Sequence, residues 1–450
     1  MGLQVTGPQS LPMRSSSTLR TTLARTCAAV ALSVSVPLAA LEEQGQLPLE
    51  ELRSFAEVFN QIRVGYVEEI DDSTLLEYAI QGMLMGLDPH SMYLTEDALQ
   101  SLQDNTSGEF TGLGLEVGME DGYVTIISPI DGSPAAEAGL RSGDVILKLG
   151  NVPVKGMSLN EAIEIMRGPK GSKIELSIGR PGEAQPFEVT LERNTIKVAS
   201  VRQSWLEPGY GYIRIAQFQN STGKDVRKSL EKLQSEGKLK GLILDLRNNP
   251  GGILSASVDV AGLFLDGGNV VYTEGRIENA NLYYDADPLD ATDGTPIVVL
   301  INQGSASASE IVAGALQDHA RAVIMGTQSF GKGSVQTVLP LSDSRAIKLT
   351  TALYFTPNGR SIQAEGIVPD ILVEPATITA LDKTRGITEA DLSGHLSKPN
   401  SSDKDSKTRM AASELLSGDN QLYEALALLK GLNILGMRDK KLAADDAGES

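Results

Sequence analysis

The feature that most constrains the fold is an apolar strand that runs into small residues and then a helix. Residues 296–301 form an apolar run that breaks at Gly304, and apolar residues at helical spacing follow from Ile311. A serine on such a turn lies at the helix N-terminus, where free backbone N–H groups stabilise a developing negative charge. Further along, Lys332 stands between two glycines. A serine at a tight turn and a lysine that can act as its base are the outline of a Ser/Lys hydrolase.

Lysine must be neutral to accept a proton. Its ordinary pKa of about 10.4 therefore has to fall to about 7–8, and burial has this effect. Gly331 and Gly333 permit close packing of the backbone around Lys332. Gln336 can hydrogen-bond the amine without adding a charge.

Two other interpretations of this stretch compete. The small residues 305–309 also suit a turn against which a helix packs tightly, and taken alone they leave that possibility open. Residues 326–332 imitate a phosphate-binding loop, but that motif requires Ser or Thr after the lysine and then a helix. Gly333 and a strand-like run follow instead, so nucleotide binding is the weaker interpretation.

A Ser-His-Asp triad would need a histidine, and the chain offers His90, His319 and His395. His319 lies on the same predicted helix as Ser307, about 18 Å away at about 1.5 Å per residue. His395 lies in a polar segment, and His90, in an Asp-Pro-His-Ser turn far upstream, is interpreted as structural. Excluding histidine favours lysine as the base.

The motifs at 304–311 and 330–336 together resemble the signature of the C-terminal processing peptidases, the tail-specific serine proteases. The resemblance implies that Ser307 is the nucleophile, Lys332 the general base and Gln336 the residue that orients the lysine.

A predicted βαβ unit ends in the loop 247–252, which follows an almost continuous apolar strand. Functional loops of open α/β sheets lie at such strand ends. The same resemblance implies an oxyanion hole made by the backbone N–H of Gly251 or Gly252 together with that of Ala308. The sequence does not decide between the two glycines, and a plain loop stays an alternative.

Residues 108–194 are predicted to form short strands with two capped helices, and they resemble a PDZ domain. In that family the loop N–H groups, here of Leu113, Gly114 and Leu115, hold a peptide carboxylate while the peptide adds a strand to the sheet edge. Arg167 matches an arginine that couples peptide binding to activity in relatives; a solvated helix end is an equally open interpretation. A PDZ domain that only packs is the alternative.

Composition excludes several classes of function. The formal charge of −19 argues against nucleic-acid binding, which needs clustered Lys and Arg. A single cysteine, Cys27, excludes a disulfide framework and a cysteine-rich metal site. No metal and no cofactor are expected.

The N-terminus predicts export. Residues 1–40 contain arginines, no Asp or Glu, and a short apolar run that includes Pro37 and is too short to span a bilayer, for which about 20 residues are needed. This pattern is typical of a secretory signal, with an uncleaved anchor as the alternative. The expected location is the periplasm or an equivalent compartment outside the cytoplasm.

The predicted fold class is mixed α/β, a PDZ domain plus a layered protease core like those of crotonase-related and caseinolytic proteases. The predicted segments are a signal (1–40), N-terminal helices (47–106), the PDZ domain (108–194), the core (195–375), a polar linker (376–408), C-terminal helices (409–440) and a disordered tail (441–450).

These features predict an ATP-independent serine endopeptidase that recognises flexible protein C-termini through its PDZ domain. The family resemblance also implies a homo-oligomer and, in some bacterial members, a lipoprotein adaptor. The alternative is a PDZ scaffold on an inactive protease core.

Overall fold

The computed structural model describes residues 47–130, 132–342, 344–376 and 418–448, the side chains of residues 278 and 436–448 excepted. The predicted signal, almost all of the predicted linker and His395 lie outside these residues. No helix in the described part of the chain combines the length and apolar character that a membrane span requires.

Two helices begin the described chain, α1 (Leu49–Gly65) and α2 (Asp72–Met85). Helix α1 has an apolar stripe along one face, and none of its residues is buried. The exposed stripe consists of Leu49, Leu52, Phe55, Val58 and Ile62. Among the residues that the structure describes, none covers this face of α1.

The predicted N-terminal helical segment (47–106) also contains a short strand, which the sequence did not indicate. Strand β1 (Met92–Leu94) lies between α2 and α3 (Glu96–Ser107), and it pairs antiparallel with Arg345–Phe355. Three residues carry too little periodicity to identify a strand, and the partner is far away in the sequence. Helix α3 is capped by the Thr95 hydroxyl, which accepts a hydrogen bond from the N–H of Ala98.

The PDZ-like unit follows as seven short strands, two helices and a final strand that pairs back on the first. Strands β3 (Leu115–Glu120), β4 (Tyr123–Pro129), β5 (Val145–Leu149), β7 (Lys173–Gly179) and β8 (Phe187–Glu192) form one sheet in that order, with β6 (Val152–Pro153) beside β5. Strands β2 (Glu109–Gly112) and β9 (Asn194–Lys197) pair separately. The predicted helices are α4 (Pro134–Glu137) and α5 (Leu159–Met166), capped by Ser133 and Ser158. Strand β3 lies at the edge of its sheet.

A six-stranded sheet forms the centre of the protease core. Its order is β10 (Val201–Glu207), β11 (Tyr210–Ile215), β12 (Gly241–Asp245), β15 (Ile297–Ile301), β16 (Ala322–Gly326) and β19 (Ile371–Leu372). All pairs except β10 with β11 are parallel, and every residue of β12 and β15 is buried. The predicted βαβ unit is confirmed, with α6 (Thr222–Glu236) between β11 and β12.

A second, antiparallel sheet completes the core. It contains β1, β13 (Asp266–Gly275), β14 (Leu282–Pro288), β17 (Ser334–Ser342) and β18 (Arg345–Phe355). Helices α7 (Leu254–Gly262) and α8 (Ala308–Asp318) pack against β13 of this sheet, and α8 also packs against β16 of the central sheet. Their apolar residues share one hydrophobic core with both sheets, which gives the layered arrangement that the sequence predicts.

The other face of the central sheet is covered by the last helix, α9 (Asn420–Gly448). Leu422, Ala425, Leu426 and Leu429 pack against apolar residues of β12, β15 and β16. The predicted tail from residue 441 is wrong as far as residue 448, because the helix continues to Gly448. Residues 440–448 include two Lys, one Leu and three Ala, which are strong helix formers.

Candidate active site

Three serines alternate on the turn between β15 and α8, and they face different surroundings. Ser305 and Ser309 are fully buried. The Ser305 hydroxyl donates to the carbonyl of Leu246 at 2.8 Å, and the Ser309 hydroxyl donates to the carbonyl of Asn249 at 2.9 Å. Both outer serines therefore fasten the turn to the loop after β12. Ser307, between them, lines a cavity.

Ser307 has an unusual backbone conformation, with φ of 55° and ψ of −114°. For a residue with a side chain, such strain costs about 1–3 kcal/mol and persists only where the surroundings enforce it. Here the N–H of Ala306 donates to the carbonyl of Asn249 at 3.0 Å, and the N–H of Ser307 donates to Glu310 at 2.8 Å. The turn places Ser307 immediately before α8, at the positive end of the helix dipole.

Glu310 joins the serine to the lysine loop. Its carboxylate is fully buried and accepts four hydrogen bonds. The donors are the N–H groups of Ser307 (2.8 Å), Lys332 (2.9 Å) and Gly331 (2.6 Å) and the hydroxyl of Ser329 (2.6 Å). Burial raises the pKa of Glu310 above the ordinary 4.5, while these hydrogen bonds act in the opposite direction. Because three of the donors are backbone N–H groups, the ionised carboxylate fits this site.

Lys332 is half-buried beside this carboxylate. Burial lowers the pKa of its amine, the charge of Lys348 lowers it further, and the charges of Asp88 and Glu310 oppose the shift. Among the described residues, the amine of Lys332 forms no hydrogen bond and no ion pair. Its carbonyl accepts a hydrogen bond from the Tyr354 phenol. The flanking glycines pack as expected, since a side chain at Gly333 would meet the backbone of Gln363 at 2.5 Å.

Gln336 lies on β17 directly opposite Thr350 of β18. Its amide nitrogen donates to the hydroxyl of Ser334 at 2.9 Å and to the carbonyl of the same residue at 3.3 Å. A third acceptor, the Thr350 hydroxyl, lies 3.4 Å away. These contacts occupy the nitrogen of the Gln336 amide.

Ser307, Lys332 and Gln336 line one cavity of about 400 Å³. Much of the remaining lining is apolar and includes Leu102 of α3, Phe218, Pro250, Ile253, Leu254, Ile311, Val335 and Val338. The cavity therefore has the size and apolar character of a side-chain binding cleft, with a few polar groups in its lining.

The loop after β12 brings backbone N–H donors to this cavity. The N–H of Gly251 already donates to the side chain of Asn249 at 2.9 Å. Gly252 is exposed and lines the cavity. Within the part of the chain that the structure describes, the N–H groups of Gly252 and Ala308 donate no hydrogen bond.

Ion pairs of Arg247 fix the start of the loop 247–252. Arg247 donates to the fully buried carboxylate of Asp245 at 2.7 Å and to Asp419, just before α9, at 2.7 Å. Burial alone would raise the pKa of Asp419, but the hydrogen bonds from Arg247 hold it below the ordinary 3.8. The C-terminal helix is thereby tied to the loop that carries Gly251 and Gly252.

The two histidines that the structure describes, His319 and His90, lie in different parts of the fold. His319 follows the last residue of α8, opposite the end that Ser307 precedes, and its ring contacts the carbonyl of Asn269 at 2.7 Å. His90 lies in the turn before β1, where its N–H donates to Asp88 at 2.8 Å. Burial lowers its pKa, and the charge of Lys332 acts in the same direction.

Comparisons with known proteins identify the family of this chain. The family model "Peptidase family S41" matches residues 209–373, "PDZ domain" matches 125–180, and "Activating protease CtpB N-terminal domain" matches 28–98. The carboxy-terminal-processing protease of Bartonella bacilliformis is 47% identical over 388 residues, covering 85% of this chain and 89% of that protein. The carboxy-terminal processing protease CtpA of Bacillus subtilis is 36% identical over 318 residues, covering 70% and 67%. This chain belongs to the carboxy-terminal processing proteases.

Among solved structures, the photosystem II D1 C-terminal processing protease is 34% identical, with a TM-score of 0.43, and covers 72% of this chain and 92% of that one. The family models and the curated relatives show that the chain is a serine protease with a PDZ domain on a mixed α/β core. The resemblance read from its motifs is confirmed.

The candidate carboxylate loop of the PDZ domain precedes the edge strand β3. Leu113 and Gly114 are buried, and their N–H groups donate no hydrogen bond to a residue that the structure describes. Gly114 has φ of 77°, and a side chain there would meet the Cβ of Ser133 at 2.1 Å, so only glycine fits. The Ser133 hydroxyl donates to the Gly114 carbonyl at 3.0 Å and fixes the loop.

Arg167, the residue assigned by resemblance to coupling, follows the last residue of α5. Its guanidinium lies 3.8 Å from Glu164 and is partly exposed. The buried arginine of this region is Arg193, which donates to the carbonyls of Met166 and Ile165 at 2.9 and 2.8 Å. Arg193 therefore caps the end of α5.

Sequence reasoning missed several residues of the site. Glu310 could have been found, because Ser307 and Glu310 follow the S-x-x-E pattern of a helix start. Asn249, Asp88 and Thr350 carry no such local signal. They approach the site only through contacts between distant parts of the chain.

Proposed function

We propose that this protease cleaves polypeptides by acyl-enzyme chemistry, with Ser307 as nucleophile and Lys332 as general base. The observation that carries the proposal is Glu310, which binds the backbones of Ser307 and Lys332 at 2.8 and 2.9 Å with one carboxylate oxygen. A buried anion that joins these two residues at the edge of one cavity is difficult to explain as packing alone.

The first half-reaction forms the acyl-enzyme. The neutral amine of Lys332 takes the proton of the Ser307 hydroxyl, and the serine oxygen attacks the scissile carbonyl carbon. The lowered pKa of Lys332 increases the fraction of neutral amine at a given pH. When the tetrahedral intermediate collapses, the lysine returns the proton to the departing amine.

In the second half-reaction Lys332 removes a proton from water, which attacks the acyl-enzyme carbonyl. When this intermediate collapses, the bond to the Ser307 oxygen breaks, Lys332 returns the proton to that oxygen, and the new carboxyl terminus is released. Every proton is accounted for by the lysine, so no cofactor is needed.

The oxyanion of both intermediates is proposed to bind the N–H groups of Gly252 and Ala308. Between the two candidate glycines, Gly252 is favoured because the N–H of Gly251 is already bonded to Asn249. Removing one such donor typically costs about 10²–10³-fold in rate. Gln336 is proposed to accept a hydrogen bond from the protonated lysine through its carbonyl oxygen, which accepts none from the residues that the structure describes.

Substrate recognition is assigned to the PDZ domain. The N–H groups of Leu113, Gly114 and Leu115 are proposed to bind a C-terminal carboxylate, and the peptide then extends along the open edge of β3. A solved PDZ domain of a Vibrio cholerae carboxy-terminal protease, 33% identical to this chain over the 20% that it covers, was determined in complex with peptide. Arg167 is kept as a candidate for coupling, though its contact with Glu164 is equally compatible with a solvated helix end.

Location and assembly follow from features outside the site. The arginine-containing apolar N-terminus supports export and cleavage in the periplasm or an equivalent compartment. The exposed stripe of α1 supports a homo-oligomer, because a stripe of this kind is normally covered. A lipoprotein adaptor is a further partner that the family resemblance implies.

The chemistry is tested with the full chain and fluorescein-labelled casein. Ser307→Ala and Lys332→Ala should each reduce cleavage by about 10⁴–10⁶-fold while the thermal unfolding transition stays near that of the wild type. A serine-reactive fluorophosphonate should label Ser307 in the wild type, and peptide mapping identifies the labelled residue. His319→Ala is the matched control and should keep full activity. Full activity of either site variant would overturn the assignment.

Recognition is tested separately with two peptides that differ only in a free or amidated C-terminus. The free carboxylate should bind more tightly to the Ser307→Ala variant, as measured by fluorescence anisotropy. Equal affinity would leave the catalytic assignment intact and give the PDZ domain a different role.

A further inference from the structure

The turn at residues 88–91, just before β1, contacts β18 through Thr350. Asp88 accepts hydrogen bonds from the N–H groups of His90 at 2.8 Å and Ser91 at 2.9 Å, and from the Ser91 hydroxyl at 2.7 Å. A fourth donor is the hydroxyl of Thr350, 3.2 Å away on β18. Three local hydrogen bonds hold the carboxylate rigidly, so that its remaining contact is directed at the sheet.

Thr350 is bound to this turn by two groups. Its N–H donates to the Ser91 hydroxyl at 3.1 Å, and its own hydroxyl donates to Asp88. The same hydroxyl lies 3.4 Å from the amide nitrogen of Gln336. The pairing of β17 with β18 is irregular between Val335 and Gln336, and such bulges commonly redirect a side chain next to an active site.

The donor and the acceptor of each hydrogen bond between Asp88, Thr350 and Gln336 follow from the chemistry of the groups. An ionised carboxylate only accepts, so the Thr350 hydroxyl gives its single proton to Asp88. The hydroxyl can then only accept from Gln336. The Ser334 carbonyl, also an acceptor, lies 3.3 Å from the same nitrogen. Both contacts require the amide nitrogen of Gln336 to point at them, which leaves the amide oxygen facing away.

We propose that Thr350 is a positioning residue for Gln336 and that Asp88 fixes the direction in which the Thr350 hydroxyl bonds. The amide of Gln336 is thereby kept from flipping, and its oxygen stays available to the protonated amine of Lys332. The inference rests on the proposed role of Gln336 as the residue that orients the lysine. It makes the N-terminal segment part of the catalytic arrangement, although that segment lies outside the matched protease region.

The principal test compares Thr350→Val with Thr350→Ser in the full chain. Valine has nearly the shape of threonine but no hydroxyl, and serine keeps the hydroxyl without the methyl group. Thr350→Val should lower kcat for casein cleavage by about 3–10-fold with little change in KM, the size expected for one neutral hydrogen bond. Thr350→Ser should stay within about twofold of the wild type. Equal losses in both variants would indicate a packing role and overturn the proposal.

A double-mutant cycle identifies the residue through which Thr350 acts. In a Gln336→Leu background the Thr350→Val change should cause no further loss of kcat, because the amide that it orients is gone. Independent, multiplying losses would show that Thr350 acts elsewhere. The Asp88 contribution is read from Asp88→Asn, which keeps an acceptor oxygen and should resemble Thr350→Ser, and from Asp88→Ala, which should resemble Thr350→Val. If Asp88→Ala fails to fold, the comparison of Thr350→Val with Thr350→Ser still tests the positioning role of Thr350.

The outcomes separate this inference from the proposed function. Activity in Lys332→Ala would remove the lysine mechanism and the inference together. Wild-type kcat in Gln336→Leu would remove only the role of the glutamine and what depends on it. Loss in Gln336→Leu together with wild-type kcat in Thr350→Val would overturn the positioning role alone.

Discussion

The serine side and the lysine side of the cavity are constructed in different ways. On the serine side, the N–H of Ser307 donates to the Glu310 carboxylate, and the neighbouring Ser305 and Ser309 are buried and bonded to the loop after β12. On the lysine side, the backbone of Lys332 is fixed by Glu310, but its amine has no hydrogen-bond partner among the described residues. Gln336 is held by contacts of 2.9–3.4 Å.

This difference corresponds to what each side has to do. In the proposed mechanism negative charge develops beside Ser307, and fixed N–H groups stabilise it best when they need no rearrangement. A base has to gain and lose a proton, and a lysine side chain with a lowered pKa serves this purpose if its surroundings control the charge. The serine side therefore depends on rigid geometry, and the lysine side depends on electrostatics and on side-chain orientation.

The largest effect is expected from Glu310→Gln, because Glu310 serves both sides. The glutamine nitrogen would face N–H groups that can only donate, and each buried donor left unsatisfied costs about 1–3 kcal/mol. We expect a clear loss of stability in urea unfolding and a large loss of casein cleavage.

The chain contains a matched control for that substitution. Glu161 forms the same capping pattern with Ser158 at the start of α5, but on an exposed surface. Glu161→Gln should leave the urea midpoint and the activity almost unchanged. Similar losses in both variants would mean that the role of Glu310 is ordinary helix capping.

An intermediate effect is expected from Lys348→Met, which tests the electrostatic control of the base. Burial and the charge of Lys348 both lower the pKa of Lys332, while Asp88 and Glu310 oppose them. Without Lys348 the pKa of Lys332 rises, and the neutral amine then forms only at higher pH. The rising limb of the pH profile of kcat/KM should therefore move to higher pH. Lys228→Met, on α6, is the control; an unmoved limb in Lys348→Met would argue against Lys332 as the titrating base.

The smallest effect is expected from Asp419→Asn, which acts on the loop of the serine side. Arg247 keeps its other partner, Asp245, so we expect a loss of about 1 kcal/mol in the free energy of unfolding at neutral pH. The folded-state pKa of Asp419 is lowered, so its contribution is present above the unfolded-state pKa and disappears as pH falls through the folded-state pKa. Urea unfolding of both proteins at neutral and acidic pH measures this. A difference that persists at low pH would contradict the ion-pair explanation.

The sequence by itself determined the local features of this protein. It indicated the family, the strand-turn-helix around Ser307, the glycines beside Lys332, the βαβ unit and the capped helices of the PDZ domain. These features are readable because neighbouring residues satisfy one another, as when Ser158 caps α5 and Gly114 permits a conformation that other residues avoid.

The tertiary structure decided which distant groups support the proposed catalytic residues. Glu310 meets the N–H of Lys332 across 22 residues, Asp419 meets Arg247 across 172, and Asp88 meets Thr350 across 262. Strand β1 is likewise a product of the tertiary structure, since its three residues become a strand only when the distant strand β18 pairs with them. A carboxylate shows in the sequence as a charge only, and its partners exist once folding has buried it among donors that no short-range pattern reveals.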